Sequence, residues 1–158
     1  AIDKGYLAEI QTVINEHDLD DSVEFLGARS TEELVDLYQR CGVFVFPSTV
    51  ETFGNPLVEA MACGASIVSS NTAAMPEIVG DAAMFFDPLD VDDLAEKVCR
   101  VLDDGELRQK MSASAVRRSH DFSWEITAAK TASVLKDAAP GGRRALVLGN
   151  TAPLSEGA

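Results

Sequence analysis

The run Val43-Phe44-Val45-Phe46, stopped by Pro47-Ser48, constrains this chain more than any other feature. Side chains alternate faces along a strand, so four apolar residues in succession need apolar cover on both sides, as in a parallel sheet flanked by helices. A second strand of this kind is expected at residues 66–69 and a third at 83–86, the latter ended by Asp87-Pro88. Between the first two, Asn55 suits a helix N-cap, Pro56 the first helical position, and Gly64 the end of a short helix. Strands alternating with helices predict an α/β fold with a parallel sheet, in which ligands bind outside the carboxyl ends of the strands.

The flanking segments carry helical signals. Tyr6, Leu7, Ile10, Val13 and Ile14 recur at helical spacing over residues 3–17. Val23, Phe25 and Leu26 predict a fourth short strand closed by Gly27, and Ser30-Thr31-Glu32-Glu33 is a capping box for a helix through Leu34, Leu37 and Tyr38. Residues 76–79 read as one helical turn. Asp90 caps a helix carrying Leu94, Val98 and Val101, the pattern breaks at Asp104-Gly105, and a second helix follows with Leu107, Met111 and Ala115. Ser123 caps a third over residues 124–136, in which Trp124 is expected as a core anchor. Pro140-Gly141-Gly142 then divides a domain at 1–138 from an expected flexible tail at 139–158.

Composition bounds the function. A chain of 158 residues, 46% hydrophobic, buries one good core. With 13 basic against 26 acidic residues, the net charge of -13 argues against nucleic acid or anionic lipid as partner, so any phosphate must be held locally. Cys41, Cys63 and Cys99 lack C-x-x-C spacing and predict reduced thiols in a cytoplasmic protein. No apolar run approaches the roughly 20 residues of a membrane span, and the first residues do not resemble a signal peptide. Peripheral membrane association of a fuller enzyme stays compatible with this.

The stretch Pro47-Ser48-Thr49-Val50-Glu51-Thr52-Phe53-Gly54-Asn55-Pro56-Leu57-Val58-Glu59 leaves the end of a buried strand and enters the short helix, which is where ligands bind in such folds. Gly54 permits close backbone approach, and free N–H groups at the helix start offer a phosphate site that needs no basic side chain. Glu59 stands among Leu57, Val58, Ala60, Met61, Ala62 and Cys63, so its carboxylate must face outward or find a polar partner, for which a vicinal diol is well shaped.

Glu51 and Glu59, enclosing Phe53-Gly54 and followed by Ala60-Met61-Ala62-Cys63-Gly64, resemble the E-x7-E signature of retaining GT-B glycosyltransferases, especially family 4. Phe25-Leu26-Gly27, Val45-Phe46-Pro47-Ser48, Met75-Pro76-Glu77-Ile78-Val79-Gly80, Asp87-Pro88-Leu89-Asp90, Leu94-Ala95 and Phe122-Ser123-Trp124 resemble that family in the same order, over about residues 5–135. The resemblance implies a Rossmann-like donor-binding domain lacking its first two strands. It implies that Glu59 holds the ribose hydroxyls of a UDP- or GDP-sugar and that Glu51 lies beside the donor sugar in the catalytic role. Backbone at Phe53, Gly54, Asn55 and Pro56 would contact the sugar and diphosphate, and the loop at Gly27, Ala28 and Arg29 the nucleobase. No metal or other cofactor is implied, and no Asp-x-Asp occurs in the diphosphate-binding part.

By the same resemblance, an amino-terminal acceptor domain, two donor-domain strands, and an Arg and a Lys for the leaving group precede this segment, and Lys4 and Arg29 do not stand at their positions. The chain alone is then expected to show little or no catalysis, with its needs met by a missing domain or a partner chain. The two absent strands belong between the strand at Val23 and that at Val43, so either residues 23–26 re-pair beside residues 43–46 or other strands enter from another chain, and open edges invite self-association. Three functions follow: the donor half of a retaining hexosyltransferase, a non-catalytic nucleotide-binding module or subunit of a split transferase, and an unrelated doubly wound domain. His17 and His120 read as helix-end residues, Cys63 as packing of a tight helix end, and Glu77 as a helix-end charge or a neighbour of the site.

Overall fold

The computed structural model describes residues 4–138; the expected tail at 139–158 lies outside the described residues. The elements follow in the order α1 (Lys4–Glu16), α2 (Thr31–Arg40), β1 (Phe44–Phe46), α3 (Asn55–Ala62), β2 (Ile67–Ser70), α4 (Met75–Val79), a 3-10 turn (Gly80–Ala82), β3 (Ala83–Phe86), α5 (Val91–Asp103), α6 (Gly105–Ser119) and α7 (Trp124–Ala138). Among the described residues the sheet has three parallel strands in the order β1-β2-β3, with Phe44 opposite Ile67 and Ile67 opposite Ala83.

The central strand β2 is covered on both faces. All four residues of β2 are buried. Ile67 faces a cluster made by Leu57, Ala60 and Met61 of α3, Met75, Ile78 and Val79 of α4, and Ala115 of α6. Val68 faces the opposite cluster, with Phe86, Val101 of α5 and Met111 of α6. Neighbouring residues thus enter different cores, as the period of two requires.

Local signals set the helix ends. Ser30 Oγ accepts from the Glu33 amide at 3.3 Å while Glu33 Oε2 accepts from the Ser30 amide at 2.8 Å, completing the capping box of α2. Asp90 and Asp104 accept from the Asp93 and Leu107 amides at 3.0 Å and 2.9 Å, and Ser123 Oγ from Ile126 at 3.2 Å. At the end of α3, Gly64 takes φ +75° and donates to the Met61 carbonyl, while Ala65 donates to Ala60, each at 3.0 Å. This pair of bonds is a Schellman ending, and it returns the chain into β2 without a long loop.

Three expectations are corrected. Residues 23–26 form no strand, so the sheet has three strands and not four, and the segment does not re-pair beside β1. Val23 and Phe25 stay exposed at 40% and 51%. A strand exists only against a ladder partner, and the neighbours that the resemblance gives this segment are not among the described residues. Trp124 is no core anchor: it is 85% exposed, because it opens a helix that buries none of its residues. The start of α3 also differs, as described below. Helix α1 is where its periodicity predicts, yet of its apolar stripe only Ile14 is buried, with Val13 at 52% exposure.

Candidate functional site

The chain leaves β1 at Phe46, and residues 47–54 arch over the carboxyl ends of β1 and β2. Two hydroxyls, one at the end of β2 and one just after it, fasten this arch. Ser70, fully buried at the end of β2, donates from Oγ to the Ser48 carbonyl at 2.5 Å, and Thr72 donates to the Thr49 carbonyl at 3.3 Å. Ser48 Oγ in turn lies 3.3 Å from Glu51 Oε1 and 3.1 Å from the Val50 carbonyl, so its single proton is shared between them. The half-buried Glu51 carboxylate is therefore tied to a loop that is itself tied to the sheet.

The arch ends at Gly54, which is buried in the left-handed region at φ +85° and ψ 58° and forms the N-cap of α3. A side chain there would be strained in backbone and would put a Cβ 3.2 Å from Leu57 Cδ1. Asn55 is consequently the first helical residue and not the cap, a correction of one position. A capping side chain must stand on extended backbone to reach the amides ahead of it, and Asn55 is already inside the helix. Helix α3 starts with no side-chain cap and with Pro56 in its first turn. The opening amides of α3 are thus left to backbone, solvent or an anion.

Glu59, one turn further, is exposed, and its Oε2 accepts a hydrogen bond from the Tyr38 hydroxyl of α2 at 3.3 Å. Burial, and after it the Glu59 charge, pushes the Tyr38 phenol up to about 12, so it stays a neutral donor. Burial and the same carboxylate raise the Cys63 thiol, which keeps it protonated and unsuited to nucleophilic work. Phe53 meets Phe122 edge-to-face at 5.8 Å and 75°. Arg118 lies 5.0 Å over the Phe122 ring, donates from Nε to the Ile78 carbonyl at 2.9 Å and from Nη2 to Glu77 at 2.6 Å, and pairs with Asp121 at 2.9 Å. Beside Phe53 opens a groove of about 520 Å³, lined by Asn55, Val58, Phe122, Trp124 and Lys130 among others.

The geometry gathers Glu51, Phe53, Gly54, Asn55, Pro56 and Glu59 on one strand-to-helix connection at the sheet's carboxyl end. Gly27 and Arg29 lie exposed in the approach to α2, where Arg29 pairs with Glu33 at 3.6 Å. Sequence reasoning did not assign Tyr38, Ser48, Ser70 or Arg118 to the site. The only signal for Tyr38 was its place at the end of an amphipathic helix, and a buried serine pair in β2 was the signal for Ser70. Among the described residues no three His, Cys, Asp or Glu side chains come together as a metal site would need, and no helix is long and apolar enough to cross a membrane.

Residues 3–118 match the family described as glycosyl transferases group 1. The chain belongs to this family. The O-antigen chain mannosyltransferase B of Escherichia coli is 38% identical over 114 residues, which are 72% of this chain and 30% of that protein. Anabaena HepE, solved in complex with UDP, superposes with a TM-score of 0.77 at 25% identity, covering 85% of this chain and 37% of that one. The crystallised C-terminal domain of a glycosyl transferase group 1 protein from Francisella tularensis superposes with a TM-score of 0.63 at 24% identity, covering 73% of this chain and 61% of that domain. The chain spans about a third or less of the length of the curated relatives it matches. Its three strands and flanking helices are therefore part of the GT-B C-terminal domain, the donor-binding domain of group 1 transferases. Within that family frame, the open side of β1 is the side on which the resemblance places the two further strands.

Proposed function

We propose that this segment binds the nucleotide-sugar donor of a retaining hexosyltransferase. One observation carries the reading: an uncapped helix start at the carboxyl end of a parallel sheet, flanked by two carboxylates each held by a hydroxyl, Glu51 by Ser48 and Glu59 by Tyr38. Opening amides suit a diphosphate in a protein of net charge -13, because they attract an anion without basic side chains. An outward carboxylate one turn along suits a ribose diol. Glu51 then lies beside the donor sugar, and Phe53, Gly54, Asn55 and Pro56 contact sugar and diphosphate through their backbone. The mannosyltransferase relative and the UDP-bound relative support a hexose donor and make UDP and GDP the first probes. No metal or other cofactor is required in this reading. Gly27 and Arg29, in the loop that leads into α2, are assigned to the nucleobase.

The experiment is calorimetric titration of the chain and its Glu59→Ala variant with UDP, GDP and ADP. Saturable binding of one nucleotide that the variant loses supports the reading. Wild-type affinity retained by the variant overturns it.

A non-catalytic binding module is the second reading, favoured by the commitments of two arginines. Arg118 is spent on the carbonyls of α4 and on Asp121, and Arg29 on Glu33. Unless a cation such as Lys130 of the groove wall meets the departing diphosphate, transfer loses its main electrostatic stabilisation, a loss on the order of 100-fold or more. In the enzymatic reading that charge and the acceptor domain come from a longer chain or a partner. Measurable sugar transfer by this chain alone would exclude the module reading.

A further inference from the structure

Tyr38 reaches Glu59 from a different element, 21 residues earlier in the chain. Its ring is held by packing and not by the carboxylate: it stands edge-on to Phe44 of β1 at 5.2 Å and 87°, against the cluster built by α3 and α4. The phenol oxygen is thus a fixed point relative to the sheet. Glu59 is the opposite case, an exposed side chain with three rotatable bonds on the surface of α3. Left alone, such a side chain samples several rotamers and loses that freedom when a ligand requires one of them. An ionised carboxylate accepts only, at about four lone-pair positions, and one phenol donor uses one of these. The remainder face a ligand that can only donate to them.

Resting on the donor-site reading above, we propose that Tyr38 is a positioning residue for nucleotide recognition, whose hydroxyl holds the Glu59 carboxylate so that its remaining acceptor positions meet the ribose hydroxyls. Tyr38 touches no part of the nucleotide in this account. It acts through Glu59, and its contribution appears only when the ligand carries a ribose diol. Discrimination of ribonucleotides from deoxynucleotides by this site then depends on a residue of α2, outside the strand-to-helix connection itself. Since the phenol stays protonated up to about 12, the clamp is in place throughout the physiological range.

The test compares UDP and GDP with their 2′,3′-dideoxy counterparts, by calorimetry on the wild-type chain, Tyr38→Phe, Glu59→Ala and the double variant, each checked for an unchanged fold by circular dichroism. Tyr38→Phe is expected to weaken ribonucleotide binding about three- to tenfold, the worth of one hydrogen bond. Dideoxy binding should be unchanged, and Tyr38→Phe should add nothing once Glu59 is Ala. Equal weakening of both ligands would make Tyr38 merely structural and overturn the proposal. Unaltered ribonucleotide binding by Tyr38→Phe, with binding lost in Glu59→Ala, overturns the proposal while the donor-site reading stands. Unaltered binding by Glu59→Ala overturns both, as does absence of saturable binding by the folded wild-type chain. A ligand-free measurement checks the clamp directly: Glu59→Ala should lower the titration midpoint of the Tyr38 ring seen by NMR, and no change would sink the idea.

Discussion

The connection through α3 and the amino-terminal stretch through α1 carry equally clear sequence signals and meet opposite fates. Between Pro47 and Ala65 the chain is tied to the rest of the fold: the arch is fastened by Ser70 and Thr72, Leu57, Ala60 and Met61 are fully buried, and α3 closes on a Schellman ending. From α1 to residue 26 the apolar pattern is as regular, yet Val13, Val23 and Phe25 remain largely exposed and no strand forms. Periodicity says which face of an element is apolar; only the rest of the fold says whether anything covers it. An unpaired edge on β1 among the described residues and an uncovered stripe on α1 fit part of a domain, in keeping with a segment that spans about a third or less of its relatives.

Stability measurements should widen this contrast. Met61→Ala, in a side chain with no exposed surface, is expected to cost about 2–5 kcal/mol in urea unfolding, because the cavity cannot collapse between α3 and the sheet. Val13→Ala should change the same transition by about 0.5 kcal/mol or less. A cost for Val13→Ala above about 2 kcal/mol would mean that the α1 face is covered in solution and would break the comparison.

Arg118→Met comes next. It removes the guanidinium that lies over the Phe122 ring together with its bonds to the Ile78 and Glu77 carbonyls, at an expected cost of about 1–3 kcal/mol. A loss of nucleotide affinity beside that cost would show that the clamp also steadies Phe53 through Phe122. Gly64→Ala should cost about 1–2 kcal/mol, from a left-handed backbone and a Cβ placed 3.1 Å from Ser112 Oγ. Ser30→Ala, which dismantles the capping box of α2, should cost about 1 kcal/mol in the same melts.

The smallest effect concerns pH. The Tyr38 phenol is raised from 10.0 to about 12 in the fold, so the folded state holds this proton more tightly than the unfolded one. Its contribution is present in full below pH 10 and is lost as pH rises toward 12. Tyr38→Phe should flatten the fall of stability measured over that window, and an unchanged slope would mean that the phenol is not buried against Glu59.

How much was legible from residues alone varies with the kind of interaction. The two-faced apolar run at residues 43–46 predicted β1 and its parallel neighbours, and Ser30, Asp90 and Ser123 announced their helices through capping chemistry that acts within three residues, whereas Asp104, read only as a break, caps α6. The segment from Glu51 to Glu59 was legible as a candidate site because its residues are consecutive and the fold class says where such a connection must lie. Asn55 was read as the cap because its side chain suits that role, whereas the left-handed Gly54 moved the helix start back by one residue. Trp124 was assigned to the core on size and hydrophobicity, but no layer lies over the start of α7 to receive it.

By itself the sequence determined the order of the elements from α2 onward, their boundaries to within about a residue or two, the family, and a candidate stretch for a ligand. These rest on side-chain period, capping and turn conformation, all of which act over a few residues of backbone. The tertiary structure alone decided that residues 23–26 stay unpaired, that Ser70 fastens the arch from 22 residues away, that Arg118 closes on Ile78 across 40, and that Tyr38 is the residue set against Glu59. Each of these depends on which group arrives on the far side, and a chain's local pattern carries no record of its distant neighbour.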